Sequence, residues 1–176
     1  MNKIAIFADV QNIYYTTRQI YDRQFNYRKL MDLVSEKGEI ISATAYAIDR
    51  GDAKQRKFQD AIRHMGYKVK LKPYIARSDG SAKGDWDVGI AIDILEAARD
   101  VDTIVLVSGD GDFDLLLDKV RQDYSVRAEV YGVPELTANS LINAANLFHR
   151  IDDGLLLRRC AVPAAKKTVG ARPAGD

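Results

Sequence analysis

Strand-length apolar runs alternate with helical periodicity along almost the whole chain, and nothing else in the sequence restricts the fold as strongly. "KIAIFAD" (3–9) has the unbroken apolar character of a strand buried on both faces, and "IYYTTRQIY" (13–21) predicts a short helix. "YRKLMDLVSEKG" puts Leu30, Leu33 and Val34 at helical spacing and stops at Gly38, a predicted C-cap. "IISATAYAID" (40–49) is the second strand. "AKQRKFQDAIRHMG" is a helix with Phe58, Ile62 and Met65 inward, stopped by Gly66. "YKVKLKPY" alternates strictly, with Tyr67, Val69 and Leu71 on one face and Lys68, Lys70 and Lys72 on the other. That pattern predicts a strand at or near a sheet edge, with one exposed face. "IARSDGSAKGD" is a loop or small hairpin, "WDVGIAIDILEAAR" a helix, "TIVLVS" a buried strand and "FDLLLDKVRQ" a helix. "VRAEVYG" is a further strand, "ELTANSLINAANLF" the last helix and "HRID" a short final strand. Such alternation predicts an α/β fold, a mostly parallel central sheet between two helical layers. Right-handed crossovers leave a few doubly wound strand orders.

At 176 residues the chain suits one domain with a full core. The domain is expected over residues 1–157, followed by a disordered tail, "RRCAVPAAKKTVGARPAGD" (158–176), rich in Ala, Pro and Gly. The tail holds five basic residues and one acid, so residues 1–157 carry a net negative charge under an overall +1. It reads as a solubilising terminus or as a non-specific nucleic-acid tether. No apolar run is long enough to span a bilayer, and "MNKIAIFADV" enters its first strand without a signal-peptide cleavage site. Cys160 is the single cysteine, which excludes an intramolecular disulfide and fits a reducing cytoplasm, the expected location. One Cys and two His also exclude a Cys/His zinc site, so any metal would be held by oxygen. His64 and His149 lie outside every motif and are given no catalytic role.

In a parallel sheet all strand C-termini share one edge, and the crossover helices begin there. Asp9 ends the first strand, Asp49 the second, and Asp110 follows "TIVLVS". Asp87 lies in the first turn of the helix near Trp86, and Asp112 opens the helix after Ser108. Topology therefore gathers Asp9, Asp87, Asp110 and Asp112 at the edge where doubly wound sheets bind ligands. Taken singly, an Asp at a helix start is an N-cap. As a set they repel, by roughly 4 kcal/mol for two carboxylates about 4 Å apart at an effective dielectric near 20. A divalent cation removes that cost, and hard oxygen donors suit Mg²⁺ or Mn²⁺. Gly109 and Gly111 are expected to let the backbone turn sharply enough to aim Asp110 and Asp112 inward.

Other chemistries fail at the same edge. No GxGxxG follows the first strand and no Walker A motif occurs, which argues against dinucleotide and P-loop binding. A haloacid-dehalogenase-type phosphatase needs a second Asp two residues after its nucleophile, where "FADVQN" has Gln11. A receiver domain needs an acidic pair by its first strand and a phosphorylatable Asp on its third, and "IAIF" and "YKVKLKPY" supply neither. GxSxG and Cys–His pairs are absent.

"FADVQNIYY", "KGDWDVGIAIDIL" and "VSGDGDFDLLLDKV" together resemble the NYN domain family, in its LabA-like branch, across roughly residues 3 to 151. The family is related to PIN-domain nucleases. The resemblance implies a Rossmann-like, PIN-like three-layer sandwich and a ribonuclease site of acidic residues that uses Mg²⁺ or Mn²⁺. Matched motif by motif, its acids are Asp9, Asp87, Asp110 and Asp112, with Asn12 beside Asp9 and Lys83 before Asp87. Asn12 and Ser108 are expected on the substrate side, and the charges of Lys83 and Arg77 are expected to neutralise an RNA backbone there. "KGDWDV" holds one extra residue, so Asp85 competes with Asp87; the distance from Asp87 to Asp93 matches the family pattern. "AANLF" puts Asn146 where members of the family often have an acid. Asp9 and Asp110, hung from strand ends, are the expected direct ligands, with Asp87 and Asp112 completing the shell. The partner implied is RNA. The alternative is a non-catalytic RNA-binding or regulatory adaptor on the same fold, and a homodimer or a protein partner stays open.

Overall fold

A computed structural model describes residues 1–76, 78 and 82–159. Six strands form one wholly parallel sheet: β1 (Lys3–Asp9), β2 (Glu39–Asp49), β3 (Lys68–Pro73), β6 (Thr103–Val107), β7 (Arg127–Gly132) and β8 (Leu147–Arg150). A short antiparallel hairpin, β4 (Ile75–Ala76) with β5 (Ala82–Lys83), stands between β3 and the next helix. The order across the sheet is β3-β2-β1-β6-β7-β8. The chain builds outward from β1 to the β3 edge, then returns to the other side of β1, so the order reverses between β1 and β6. That reversal opens a crevice outside the strand C-termini.

Period-two alternation sends each strand into two cores at once. In β1, Ile4, Ile6 and Ala8 face α1 (Val10–Tyr21), α2 (Tyr27–Ser35) and α3 (Ala53–His64), whose Ile13, Leu30, Val34 and Ile62 close that side. Ala5 and Phe7 face the opposite layer, α4 (Asp87–Ala97), α5 (Asp114–Asp123) and α6 (Asn139–Ala144). Ile90, Ile94, Leu117 and Leu141 pack there, all fully buried.

Local chemistry sets the boundaries. α1 starts at Val10, three residues earlier than its periodicity predicts, because Asp9 caps it by accepting the Asn12 N–H. Gly66 adopts φ +105 just beyond α3, as expected of a C-terminal glycine. Gly38 has no such role: α2 ends at Ser35, and a Cβ on Gly38 would collide with the Asn2 carbonyl oxygen. The helix predicted over "ELTANSLINAANLF" is cut to a 3-10 turn (Pro134–Leu136) and the six residues of α6. Sheet pairing takes the remainder. Asn146 brackets Ala128, donating its N–H to the Ala128 carbonyl and accepting the Ala128 N–H on its side chain, both at 2.8 Å. Leu147 and Phe148 then pair with Glu129 and Val130.

Beyond β8 the chain turns back over α1 and α2. Leu155 and Leu156 are buried, Asn26 donates to the Leu155 carbonyl, and Tyr21 donates its hydroxyl to the Ile151 carbonyl at 2.7 Å. The basic tail predicted from residue 158 lies, from residue 160 on, outside the described residues. Among the described residues no helix is long and apolar enough to cross a membrane.

Candidate metal centre

The crevice between β1 and β6 is lined by the ends of two strands and the starts of two helices. β1 ends in Asp9, β6 runs into Ser108-Gly109-Asp110, α4 opens with Asp87, and a 3-10 turn (Gly111–Phe113) carries Asp112 ahead of α5. Asp87, Asp110 and Asp112 each offer a carboxylate oxygen, and the three oxygens lie within 4.8 Å of one another. Asp9 is only 8% exposed and stands behind them, accepting from the Asn12 N–H at 3.3 Å and the Ser108 hydroxyl at 3.1 Å.

Backbone donors hold the acidic loop in place. Asp110 donates its N–H to the Ser108 hydroxyl (3.2 Å), Asp112 donates to Asp110 Oδ1 (2.9 Å), and Gly109 donates to the Asn12 side-chain oxygen (2.9 Å). From the other side, Ala138 donates to the Gly109 carbonyl at 3.1 Å. Gly109 and Gly111 have no left-handed φ, so the sharp turn expected of them is not what requires glycine. Close approach is. A Cβ on Gly109 would lie 2.7 Å from the Leu136 carbonyl oxygen, and one on Gly111 would lie 2.8 Å from the Ala138 Cβ.

Burial and the neighbouring charges make Asp87 and Asp9 reluctant to ionise. Burial first, then the charges of Asp110, Asp85, Asp9 and Asp112, push Asp87 up to about 7. Burial, opposed by the bonds from Asn12 and Ser108 and reinforced by Asp110 and Asp85, raises Asp9 to about 6. The three converging carboxylates of Asp87, Asp110 and Asp112 form an all-oxygen donor set that fits Mg²⁺ or Mn²⁺.

Several residues lie elsewhere than the sequence suggests. The converging trio is Asp87, Asp110 and Asp112, while Asp9 is buried beside it and accepts from Asn12 and Ser108. Ser108, expected beside the substrate, is fully buried; its hydroxyl donates to Asp9 and accepts from Asp110, so it braces the acids instead. The Asn12 carboxamide ties the acidic loop to α1. Asp85 is exposed and accepts the Asp87 N–H at 3.3 Å, while Asp87 joins the trio. Lys83 belongs to β5, but its side chain, like all of Arg77, lies outside the described residues.

The lysine row of β3 is at a sheet edge, as its alternation predicts, but it is not a bare face. Lys70 pairs with Asp93 at 2.6 Å, and Tyr46 donates its hydroxyl to the same carboxylate at 2.7 Å. Lys72 lies 4.5 Å from the centre of the Trp86 ring and donates to the Asp85 carbonyl at 3.0 Å. The Trp86 indole N–H donates to the Ala47 carbonyl at 2.8 Å, so the start of α4, and Asp87 with it, is anchored to the sheet. These partners come from β2, β3 and α4 with the segment leading into it, and no spacing in the sequence signals them.

The NYN domain model matches residues 3–152. The "Low amplitude and bright protein LabA" of Synechococcus elongatus is 29% identical over 160 residues, covering 86% of this chain and 85% of that protein. The crystal structure of a protein of unknown function from Vibrio parahaemolyticus shares 52% identity at a TM-score of 0.84, over 89% of this chain and 96% of that one. The acidic motifs, the parallel sheet that gathers them and the family match over nearly the whole folded part agree: this chain belongs to the NYN domain family.

Proposed function

We propose that this protein is a divalent-metal-dependent ribonuclease whose site is the crevice between β1 and β6. The observation that carries the reading is the convergence of Asp87, Asp110 and Asp112 with their carboxylate oxygens within 4.8 Å. Such a set is costly unless it holds a cation, and its membership in the NYN family favours phosphodiester chemistry on RNA. A bound Mg²⁺ or Mn²⁺ would polarise a phosphoryl oxygen and acidify a water so that it attacks at neutral pH.

The chain's own part is positioning and proton handling. Asp87, Asp110 and Asp112 would hold the ion. Asp9, locked between Ser108 and the N-terminus of α1, adds fixed negative charge behind them. Asp87, raised to about 7 in the metal-free chain, has to give up its proton for a cation to bind, so metal uptake is favoured as pH rises through neutrality. Asn12 and Ser108 keep the loop from spreading.

Cleavage of an end-labelled RNA pool with Mn²⁺ or Mg²⁺ tests this, with Asp110→Asn and a chelator as comparisons. The expected result is metal-dependent cleavage that falls by about a hundredfold or more in the variant. Equal cleavage by variant and wild type would sink the assignment. Metal binding without cleavage would favour a non-catalytic RNA-binding role, and hydrolysis of free nucleotides alone a small-substrate phosphatase.

A further inference from the structure

A row of exposed tyrosines linked by arginines runs from α1 to the segments that follow β2 and β3. Tyr14 and Tyr15 project from the first half of α1, with 44% and 50% of their surface exposed, and Tyr74 follows β3 with 47% exposed. The Tyr14 and Tyr15 rings meet edge to face at 5.5 Å. Arg18 donates to the Tyr14 hydroxyl at 2.6 Å, and Arg50 donates to the Tyr15 hydroxyl at 3.3 Å. The Arg50 guanidinium also lies 5.3 Å from the centre of the Tyr74 ring. Residues far apart in sequence thus form one continuous line, Arg18–Tyr14–Tyr15–Arg50–Tyr74, from α1 to the C-terminal ends of β2 and β3. Tyr74 is fixed to that edge by its N–H, which donates to the Asp49 carbonyl at 3.1 Å.

Core packing does not require this row, since each ring leaves about half its surface in water. The nearby acids are occupied locally: Asp49 accepts the Gly51 N–H, and Asp52 caps α3 through Gln55. Beyond them, the exposed Lys54, Arg56 and Lys57 add positive charge at the start of α3.

We propose that the row from Tyr14 to Tyr74 is a binding track for an unpaired nucleic-acid strand, whose bases stack on the tyrosines while Arg18 and Arg50 meet its phosphates. Stacking of this kind needs bases with a free face, which a duplex does not offer. The hydroxyls of Tyr14 and Tyr15, bonded to Arg18 and Arg50, restrain those two rings before binding, a contribution small beside the stacking itself. Arg50 and Tyr74 follow the C-terminal ends of β2 and β3, the same sheet edge on which the crevice between β1 and β6 opens. Its assignment to RNA rests on the ribonuclease reading of that crevice; the preference for a single strand does not.

Binding of a short fluorescein-labelled oligoribonucleotide, alone and annealed to its complement, is measured by anisotropy in chelator, where metal-dependent cleavage cannot intervene. Wild type should favour the single strand. Tyr15→Ala and Tyr74→Ala should each weaken it by about tenfold, while Tyr15→Phe and Tyr74→Phe, which keep the ring, should stay within about twofold. Arg50→Ala should weaken binding and lower the salt slope by about one counterion. Thermal melts show whether each surface variant is folded. Equal affinity for duplex and strand, alanine variants that bind like wild type, or no strand binding at all would each overturn the track. Metal-dependent cleavage with an unchanged KM in the alanine variants would reject the track and keep the nuclease. Ring-dependent strand binding without cleavage under any metal would keep the track and reject the nuclease.

Discussion

At the scale of single residues, the acidic crevice and the interior of the sheet respond to pH with opposite signs. Asp9 and Asp87 bind protons more tightly in the folded chain than in the unfolded one, raised from 3.8 to about 6 and about 7. The stability this gives the metal-free protein is fully present below the unfolded value and is lost as pH rises through the two folded values. Glu129 is the reverse case. The hydrogen bond with His149 (2.7 Å), aided by Lys37, holds it at about 2 despite burial, so its contribution is present above 4.5 and is lost as pH falls through about 2. Glu129 is therefore silent where the crevice titrates. In chelator, the melting temperature should fall between about pH 4 and about pH 7. Asp110→Asn, which removes a charge that raises both Asp9 and Asp87, should flatten that fall and melt at or above wild type at the alkaline end. A flat wild-type profile would count against the electrostatic account. That Asp9, Asp87, Asp110 and Asp112 gather at one edge was legible in the sequence because strand ends and helix starts must share it. The bracing role of Ser108 was not, because it depends on a bond to a residue 99 positions away.

At the scale of elements, the acidic loop is clamped between α1 and the connection from β7 to α6. Asn12 holds Gly109 from one side, and Leu136 to Ala138 close in from the other. Gly109→Ala should therefore lose about 1–3 kcal/mol in urea unfolding, as overpacking does, because the atom it meets is a backbone carbonyl that cannot rotate away. Calorimetric titration with Mn²⁺ should show weaker binding as well, since the displaced loop carries Asp110 and Asp112. Unchanged Mn²⁺ affinity would show that the clamp does not set the geometry. This connection is also where sequence periodicity misjudged the fold. "ELTANSLINAANLF" has the composition of one helix, yet Leu147 and Phe148 gain more as partners of β7 in the sheet. Periodicity cannot separate the two for short apolar runs, because tertiary pairing overrides a weak local preference.

On the scale of the whole molecule, the folded unit continues past the residues that match the family model. That match ends at 152, but Leu155 and Leu156 are buried against the segment joining α1 to α2, and Phe25 bridges Leu156. A chain ending at residue 152 should be less stable than one ending at 159 by about 3–6 kcal/mol, the burial of two leucines. Comparing their urea midpoints checks this, and equal midpoints would show that the return segment is dispensable.

The sequence by itself determined the α/β class, the parallel sheet and the collection of acids at one sheet edge. Those follow from period, chain direction and crossover handedness, which are properties of the chain read in order. Only the tertiary structure decided which acids face one another, why Gly109 and Gly111 must lack side chains, and that Tyr14, Tyr15, Arg50 and Tyr74 form one row. Each of those depends on ångström-scale distances between segments remote in sequence, set by how the layers pack.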